Sequence, residues 1–183
     1  EATAAVLDAN GWLRTGDQAR IAGQHLYITG RIKDIMVLSN GEKVSPADME
    51  MAIGLDPLFE QVMIVGEGHP FLAALLVLDA QAWPPLAREF GLDPESQDTL
   101  ADPLLLKAML KRVRDALGDF PGYAKIRRVL LLLDPWTIDN GLMTPTLKFR
   151  RNRVIEQYRD EIARLYSTDA PTTSPSAPRA PIR

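Results

Sequence analysis

The stretch of residues 29–46, TGRIKDIMVLSNGEKVSP, constrains the fold more than any other part of the chain. Gly30 frees the backbone after an apolar run, and charged residues then lead into residues 35–38, which are apolar and predict a short strand. The Asn-Gly pair at 40–41 is a strong turn signal. The Ser-Pro pair at 45–46 is typical of the N-cap and first position of a helix. Taken alone, the stretch predicts a connector that becomes a strand and is followed by a capped helix.

The apolar periodicity on both sides of this connector predicts an α+β fold with a short β-hairpin and a central sheet flanked by helices. The predicted hairpin pairs residues 19–21 with 26–29; the other predicted strands are 61–65, 71–78 and 126–133, and the predicted helices are 46–53, 80–90, 102–117 and 153–166. Ser45 and Asp48 have the spacing of a capping box for the first helix. Residues 135–153 are predicted to form a loop rich in polar and basic residues.

The composition argues against several classes of function. A formal net charge of −3 does not suit general nucleic-acid binding, which needs a basic surface. Without cysteine the chain has neither a disulfide nor a thiolate metal site, and His25 and His69 lack metal-ligand spacing, so no metal site is predicted. The longest apolar run, near residues 129–133, has the length of a strand and is far short of the roughly 20 residues of a membrane-spanning helix.

Two further motifs lie on either side of the connector. Residues 11–17, GWLRTGD, precede it, and residues 140–151, NGLMTPTLKFRR, lie near the C-terminus. In this order and at these separations, the three motifs resemble the C-terminal part of adenylate-forming (AMP-binding) enzymes. The likeness is closest to the long-chain fatty acyl-CoA synthetases, and it runs from residue 1 to about residue 166.

The resemblance implies a division of the chain into three parts. Residues 1–32 would be the end fragment of a large N-terminal adenylation domain plus the hinge, 33–166 the small C-terminal domain, and 167–183 a disordered tail rich in Pro, Ser, Thr and Ala. Enzymes of this family swing the small domain between a pose that makes the acyl-adenylate and a pose that makes the thioester. Lys33 matches the hinge position, where a few residues must absorb a large φ/ψ change.

The resemblance also implies two nucleotide-binding residues. Asp17 matches the aspartate of the family's Thr-Gly-Asp motif, which holds the ribose of AMP; a carboxylate can accept hydrogen bonds from both ribose hydroxyls. Arg31 matches the arginine of a Gly-Arg pair that contacts the ribose or phosphate side of the adenylate, a task suited to a permanently charged fork of donors. Without the resemblance, the two residues would be interpreted as a turn residue and a member of a surface salt bridge.

Lys148 is the predicted catalytic residue. It lies in a flexible Thr-Pro-Thr-Leu-Lys segment followed by arginines, and its ammonium would stabilise the negative charge that builds when a carboxylate attacks the α-phosphate. Many relatives have glycine where this chain has Leu147. Gly41 matches a glycine of the loop that faces the active site in the thioester-forming pose, near the pantetheine channel of coenzyme A. A plain Asn-Gly turn accounts for Gly41 almost as well, and a solvated basic patch is the alternative for Lys148.

The predicted function is that of the C-terminal part of a long-chain fatty acid-CoA ligase (AMP-forming). The full-length enzyme would use a fatty acid, ATP with Mg²⁺, and coenzyme A. The chain has no glycine- and hydroxyl-rich phosphate-binding loop, so alone it is expected to be inactive and to hold no cofactor tightly. The alternatives are a fatty acyl-AMP ligase or peptide-synthetase adenylation domain, which passes the acyl group to a carrier protein, and a non-catalytic binding or regulatory module.

Two further expectations concern self-association and the location of the protein in the cell. Residues 26–28 would leave an open strand edge where the adenylation domain is missing, which predicts self-association through the N-terminal hairpin. The expected location is the cytoplasm, with peripheral contact to the inner face of the membrane as an option because the substrate partitions into lipid. The residues present specify neither the acyl-chain length nor the acceptor.

Overall fold

The computed structural model of the chain describes residues 6–118, 120–122 and 125–167. Within them lie seven strands and five α-helices, which confirms the predicted α+β fold class. The strands are β1 (Asp17–Ala22), β2 (His25–Arg31), β3 (Met36–Val37), β4 (Lys43–Val44), β5 (Phe59–Val65), β6 (Leu72–Leu78) and β7 (Ile126–Leu132). The helices are α1 (Pro46–Ile53), α2 (Trp83–Glu89), α3 (Pro103–Ala116), α4 (Arg151–Gln157) and α5 (Arg159–Tyr166). No helix of the described residues is long and apolar enough to cross a membrane.

Two predictions about chain organisation remain predictions. The disordered tail proposed for residues 167–183 lies outside the described residues except for Ser167. The boundary between an N-terminal fragment ending at residue 32 and a C-terminal domain starting at residue 33 also stays a prediction.

β1 and β2 form the predicted hairpin, which is longer than the sequence indicated. The strands pair antiparallel from Asp17 opposite Arg31 to Ala22 opposite His25, and Gly23 makes the turn with φ of 61°. The left-handed φ explains the glycine, because other residues adopt that region only at a cost. Apolar side chains of the hairpin stay in solvent: Ile21, Leu26 and Ile28 are 78%, 65% and 62% exposed.

β5, β6 and β7 form a three-stranded sheet in that order, with β5 and β6 antiparallel and β6 and β7 parallel. A parallel neighbour requires a long crossover, and here the crossover runs through α2 and α3. The central strand β6, LAALLVL, is buried at every position, which is the pattern of a strand covered on both faces.

Apolar cores lie on both faces of this sheet. On one face Leu76 belongs to a core that includes Ile53 of α1 and Met109 of α3. On the other face Leu75 belongs to a second core that includes Trp136. The alternation of side chains along a strand separates the two sets. The second core bears on function, because Trp136 lies in the segment that leads to the predicted catalytic lysine.

Helix α3 is the element that the sequence predicts best. The Asp102 carboxylate accepts hydrogen bonds from the backbone N–H groups of Leu104 and Leu105, both at 2.9 Å, and Pro103 occupies the first helical position. A bidentate ion pair then holds α3 to the loop after α1: Arg112 donates to Asp56 at 2.7 and 2.8 Å. This hydrogen bonding lowers the pKa of the Asp56 carboxyl and raises the pKa of the Arg112 guanidinium.

The capping box predicted for Ser45 and Asp48 is wrong. Ser45 is the N-cap of α1, but its side chain makes no capping hydrogen bond. Its Oγ instead lies 3.1 Å from the position that a Cβ on Gly30 would occupy. Gly30, with φ of 149°, thus lets the connector pass close to the start of α1. The Ser45 hydroxyl therefore lies beside the connector and does not cap the helix.

The single helix predicted for residues 153–166 is also wrong in detail. It starts earlier, at Arg151, and is divided into α4 and α5 at Tyr158, where φ and ψ are −103° and 25°. The Tyr158 N–H still bonds the carbonyl of Val154, and the Tyr158 carbonyl accepts from the N–H of Ile162. The break at Tyr158 is therefore a local distortion, and α4 and α5 both pack against the second core.

Candidate active site

Asp17 and Arg31 form an ion pair at the open end of the hairpin. They are directly opposite in the β1–β2 register, and Nε of Arg31 lies 3.2 Å from Oδ1 of Asp17. Gly16 precedes the aspartate with φ of 74°, and its carbonyl accepts a hydrogen bond from the N–H of Ile32 at 2.9 Å. The Arg31 side chain remains 55% exposed. The structure therefore brings the two predicted nucleotide-binding residues together, with the guanidinium still open to solvent.

Lys33 lies in a 3-10 turn, Ile32–Asp34, that joins β2 to β3. The turn is closed by one hydrogen bond, from the N–H of Ile35 to the carbonyl of Ile32 at 3.4 Å. The Lys33 side chain is exposed and forms no ion pair with any residue that the structure describes. Such a short segment, held by few contacts, is compatible with the predicted hinge, but the hinge role itself stays a prediction.

Gly41 makes the turn between β3 and β4. Its φ is 83°, and its N–H donates to the carbonyl of Leu38 at 2.9 Å. A Cβ placed on Gly41 would meet nothing within 4 Å. The glycine is needed here for its backbone conformation, as a plain Asn-Gly turn requires, and its predicted proximity to coenzyme A stays a prediction.

Lys148 follows the tip of a hydrogen-bonded turn, and the predicted flexibility of this segment stays a prediction. The turn is closed by a bridge between Met143 and Phe149, and Thr144 donates its N–H to the carbonyl of Lys148 at 2.8 Å. The Thr144 hydroxyl accepts in return from the N–H of Lys148 at 3.1 Å. Leu147 has φ of 58°, the left-handed conformation that glycine would adopt without strain. The exposed Lys148 side chain forms no ion pair within the described residues.

A glutamine in the sheet holds the segment that leads into this turn. Oε1 of Gln61 accepts from the N–H of Trp136 at 2.7 Å, and Nε2 of Gln61 donates to the carbonyl of Trp136 at 2.9 Å. The Trp136 ring meets the ring of Phe149 edge-on, with centroids 5.1 Å apart and planes at 85°. Phe149 is the residue after Lys148, so this chain of contacts connects β5 to the lysine turn.

An ion pair holds the segment that leaves the turn. Arg151 makes a bidentate contact with Glu50 of α1, with an Nη1–Oε1 distance of 2.8 Å. The pair also binds the edge of β5: Nη2 of Arg151 donates to the carbonyl of Ile64 at 2.7 Å, and Glu50 accepts from the N–H of Ile64 at 2.7 Å. The two side chains thus supply the hydrogen bonds that a neighbouring strand would make to that residue.

A cavity of about 620 Å³ lies between the connector and the segment after Lys148. Its lining includes Lys33, Glu67, His69, Phe149, Arg150 and Arg153, while Lys148 itself is not part of the lining. The carboxylate of Glu67 accepts from the N–H of Val37 at 2.8 Å. The His69 and Tyr166 rings are stacked, with their centroids 3.6 Å apart. Burial lowers the pKa of the His69 imidazole and raises the pKa of the Tyr166 phenol.

The site residues predicted from the sequence thus lie in different parts of the structure. Asp17 and Arg31 are paired on the hairpin, Lys33 and the segment after Lys148 share a cavity, and Gly41 lies on another turn. No hydrogen bond or ion pair among the described residues joins the hairpin pair to Lys148. Within the same residues there is no group of three or more His, Cys, Asp or Glu side chains that could hold a metal ion. Sequence reasoning missed the residues that hold the lysine turn, whose partners are distant in sequence.

The fold and the order of these elements define the C-terminal part of an adenylate-forming enzyme. Residues 33–170 match the family model described as the AMP-binding enzyme C-terminal domain, and the chain belongs to that family. The resemblance inferred from the three motifs is therefore confirmed.

The chain is similar to two curated ligases. It is 34% identical over 176 residues to the long-chain-fatty-acid–[acyl-carrier-protein] ligase AEE15, chloroplastic, of Arabidopsis thaliana, and 31% identical over 169 residues to the putative fatty-acid–CoA ligase fadD11 of Mycobacterium tuberculosis. The alignments cover 90% and 91% of this chain but only 23% and 30% of the two relatives. The chain therefore spans about a quarter of their length.

A solved structure of an adenylation domain shares the fold of this chain. The A-PCP didomain of carboxylic acid reductase from Segniliparus rugosus, determined in complex with AMP, matches with a TM-score of 0.75 and 26% sequence identity. The match covers 91% of this chain and 22% of the reductase chain. The architecture described above is thus that of the C-terminal part of an adenylation domain.

Proposed function

We propose that this chain is the C-terminal part of a long-chain fatty acyl-CoA synthetase, which converts a fatty acid and ATP to acyl-AMP and then transfers the acyl group to coenzyme A. The observation that carries the proposal is the turn of Lys148. It presents an exposed ammonium on a segment held by Gln61 on one side and by the Glu50–Arg151 pair on the other. Family membership and the similarity to a putative fatty-acid–CoA ligase support the same function.

In the first half-reaction the carboxylate oxygen of the fatty acid attacks the α-phosphorus of ATP, and pyrophosphate leaves. Negative charge builds on the phosphoryl oxygens, and a fixed ammonium stabilises that charge without transferring a proton. We assign this role to Lys148. Hydrogen bonds with Thr144 hold the backbone of Lys148 in a closed turn, which supports this role because the side chain then projects from a defined position.

Asp17 and Arg31 would hold the nucleotide. The Asp17 carboxylate can accept from the ribose hydroxyls, and its ion pair with Arg31 fixes its orientation. Arg31 keeps donors in solvent that can contact the ribose or phosphate side of the adenylate. We expect the cradle for the ATP phosphates and the Mg²⁺ ligands to come from the N-terminal domain.

In the second half-reaction the pantetheine thiol attacks the acyl carbonyl carbon, and AMP leaves. The small domain would reach this pose by rotation at Lys33, bringing the Gly41 turn toward the thiol. We place the enzyme in the cytoplasm, with peripheral contact to the inner face of the membrane where its substrate partitions.

An alternative acceptor is a carrier protein. One relative is a long-chain-fatty-acid–[acyl-carrier-protein] ligase, which favours this candidate directly. Because pantetheine supplies the thiol in both cases, the residues of this chain do not discriminate between them. A non-catalytic module is disfavoured, because such a module has no need for Asp17, Arg31 and Lys148 together.

The deciding experiment uses the full-length enzyme with a long-chain fatty acid, ATP and Mg²⁺, and either coenzyme A or holo acyl carrier protein. We expect acyl-AMP in every case and rapid thioester formation with free coenzyme A. Thioester formation with the carrier protein alone would assign the alternative acceptor, and absence of acyl-AMP would refute the proposal. This chain by itself should catalyse no ATP–pyrophosphate exchange.

A further inference from the structure

We infer that Gln61 is a positioning residue for Lys148: through Trp136 it holds the backbone turn from which the ammonium projects. This inference rests on the proposed function, because it assumes that Lys148 acts in adenylation. Gln61 lies on β5, and its effect on the reaction would pass entirely through contacts within this chain.

The strand itself directs Gln61 toward the lysine segment. The β5–β6 register shifts between Phe59 and Gln61, which marks an irregularity at Glu60. Bulges of this kind re-aim the side chains that follow them. Glu60 stays exposed, whereas Gln61 is partly buried and faces the segment that carries Trp136.

The amide of Gln61 makes a paired contact that resembles one step of a strand ladder. It accepts from the N–H of Trp136 at 2.7 Å and donates to the carbonyl of Trp136 at 2.9 Å. Its Nε2 also lies 4.0 Å from Sδ of Met143. One side chain therefore touches the segment at Trp136 and again at Met143, where the lysine turn begins.

Trp136 passes this constraint to the lysine turn. Its side chain is only 1% exposed, so it has little freedom to shift, and its ring packs edge-on against Phe149. Phe149 is bridged to Met143 and is bonded covalently to Lys148. Gln61 thus contacts the segment that enters the turn and, through Trp136, the residue Phe149 that leaves it. The Glu50–Arg151 pair holds the chain after Phe149.

Loss of the Gln61 contacts should displace the ammonium without removing it. A misplacement of about 1 Å can lower a rate by on the order of a hundredfold. The displacement should affect only the half-reaction in which Lys148 faces the phosphorus, and it should leave the KM values for ATP and fatty acid nearly unchanged. A purely structural role would reduce folding and both half-reactions together.

The test uses four variants of the full-length enzyme: Gln61→Met, Lys148→Ala, their combination, and the control Glu60→Ala. Methionine keeps the length of Gln61 but makes neither hydrogen bond to Trp136, and Glu60 is the exposed neighbour in the same strand. The measurements are kcat and KM for adenylation, the rate of thioester formation from preformed acyl-AMP, and circular dichroism as a check of folding. Gln61→Glu, which keeps the acceptor for the N–H of Trp136, replaces Gln61→Met should the latter not fold.

We expect Gln61→Met to lower kcat for adenylation by roughly ten- to a hundredfold, with thioester formation unchanged and Glu60→Ala like the unaltered enzyme. In the Lys148→Ala background the same substitution should have almost no further effect, because coupled residues are not additive. An equal further loss in that background, a loss in both half-reactions, or no loss at all would overturn the positioning role. A Lys148→Ala enzyme with full adenylation activity would instead refute the assigned role of Lys148, which separates the two outcomes.

Discussion

Asp17 and Arg31 lie directly opposite each other across the N-terminal hairpin, with Nε of Arg31 3.2 Å from Oδ1 of Asp17. Their side chains are 27% and 55% exposed, so solvent screens the pair. Half-exposed ion pairs contribute about 1 kcal/mol or less to folding. The pair is therefore explained better as a way of orienting the aspartate than as a source of stability.

Replacing Asp17 by Asn should separate binding from stability. In the full-length enzyme we expect kcat/KM for ATP in adenylation to fall by about ten- to a hundredfold, because hydrogen bonds to a charged group contribute roughly 1.5–3 kcal/mol. The melting temperature should change little. Asp115→Asn, which alters the exposed Lys111–Asp115 pair, is the matched control and should leave both quantities unchanged. A lower melting temperature of Asp17→Asn with an unchanged kcat/KM would show that the pair is structural.

Leu147 gives a prediction about backbone strain. Its φ of 58° costs an L-residue roughly 1–2 kcal/mol, and its side chain is 68% exposed, so little apolar burial offsets that cost. Leu147→Gly should be neutral or slightly stabilising in urea unfolding, since glycine loses about 0.5–1 kcal/mol of that gain to entropy. Leu147→Ile should destabilise the chain by about 1 kcal/mol or more, because β-branched residues tolerate this region worst. Leu104→Ile, at a site 69% exposed in α3, is the control; equal effects at both sites would contradict the strain argument.

The Glu50–Arg151 pair predicts a larger effect on stability. Its side chains are 15% and 28% exposed, and the pair also binds both backbone groups of Ile64. Glu50→Gln should lower the free energy of unfolding by about 2 kcal/mol, because Arg151 would lose its charged acceptor. Urea unfolding of this chain measures it, with Asp115→Asn as the control that should change by less than about 0.5 kcal/mol. A loss no larger than that of the control would mean that the pair does not hold the edge of β5.

Local signals predicted the fold well because their causes are local. Asp102 and Pro103 determine the start of α3 within four residues, and Gly23 determines the hairpin turn. The Ser45 capping box did not form: the Ser45 hydroxyl makes no capping hydrogen bond and lies close to Gly30 of the connector. Local patterns contain no information about packing against a segment outside the helix.

The support of the lysine turn could not be predicted for the same reason. Gln61 lies 75 residues before Trp136, and Glu50 lies 101 residues before Arg151. In the sequence each is one polar residue in an ordinary position, and only tertiary packing gives it a partner: Gln61 of β5 meets Trp136 after β7, and Glu50 of α1 meets Arg151 of α4. The resemblance located Lys148, but the residues that hold its turn required the structure.

The connector gives a test of the hinge. Lys33 lies in a 3-10 turn and forms no ion pair among the described residues, so Lys33→Ala should leave both half-reactions largely intact. Lys33→Pro fixes φ near −65° and restricts Ile32, which should hinder rotation of the small domain and lower thioester formation selectively. Single-turnover measurements on the full-length enzyme separate the two steps. Equal losses in both steps for both variants would indicate that Lys33 acts through its charge.

If Lys148 stabilises the transition state of adenylation, its removal should slow that half-reaction and spare the other. In the full-length enzyme, Lys148→Ala is compared with the unaltered protein for ATP–pyrophosphate exchange and for thioester formation from preformed acyl-AMP. We expect exchange to fall by about two to three powers of ten, the typical effect of losing one well-placed charge-stabilising group. Thioester formation should remain nearly unchanged, because no pentacoordinate phosphorus forms in that step. An equal loss in the two reactions, or full exchange activity without the ammonium, would contradict the account.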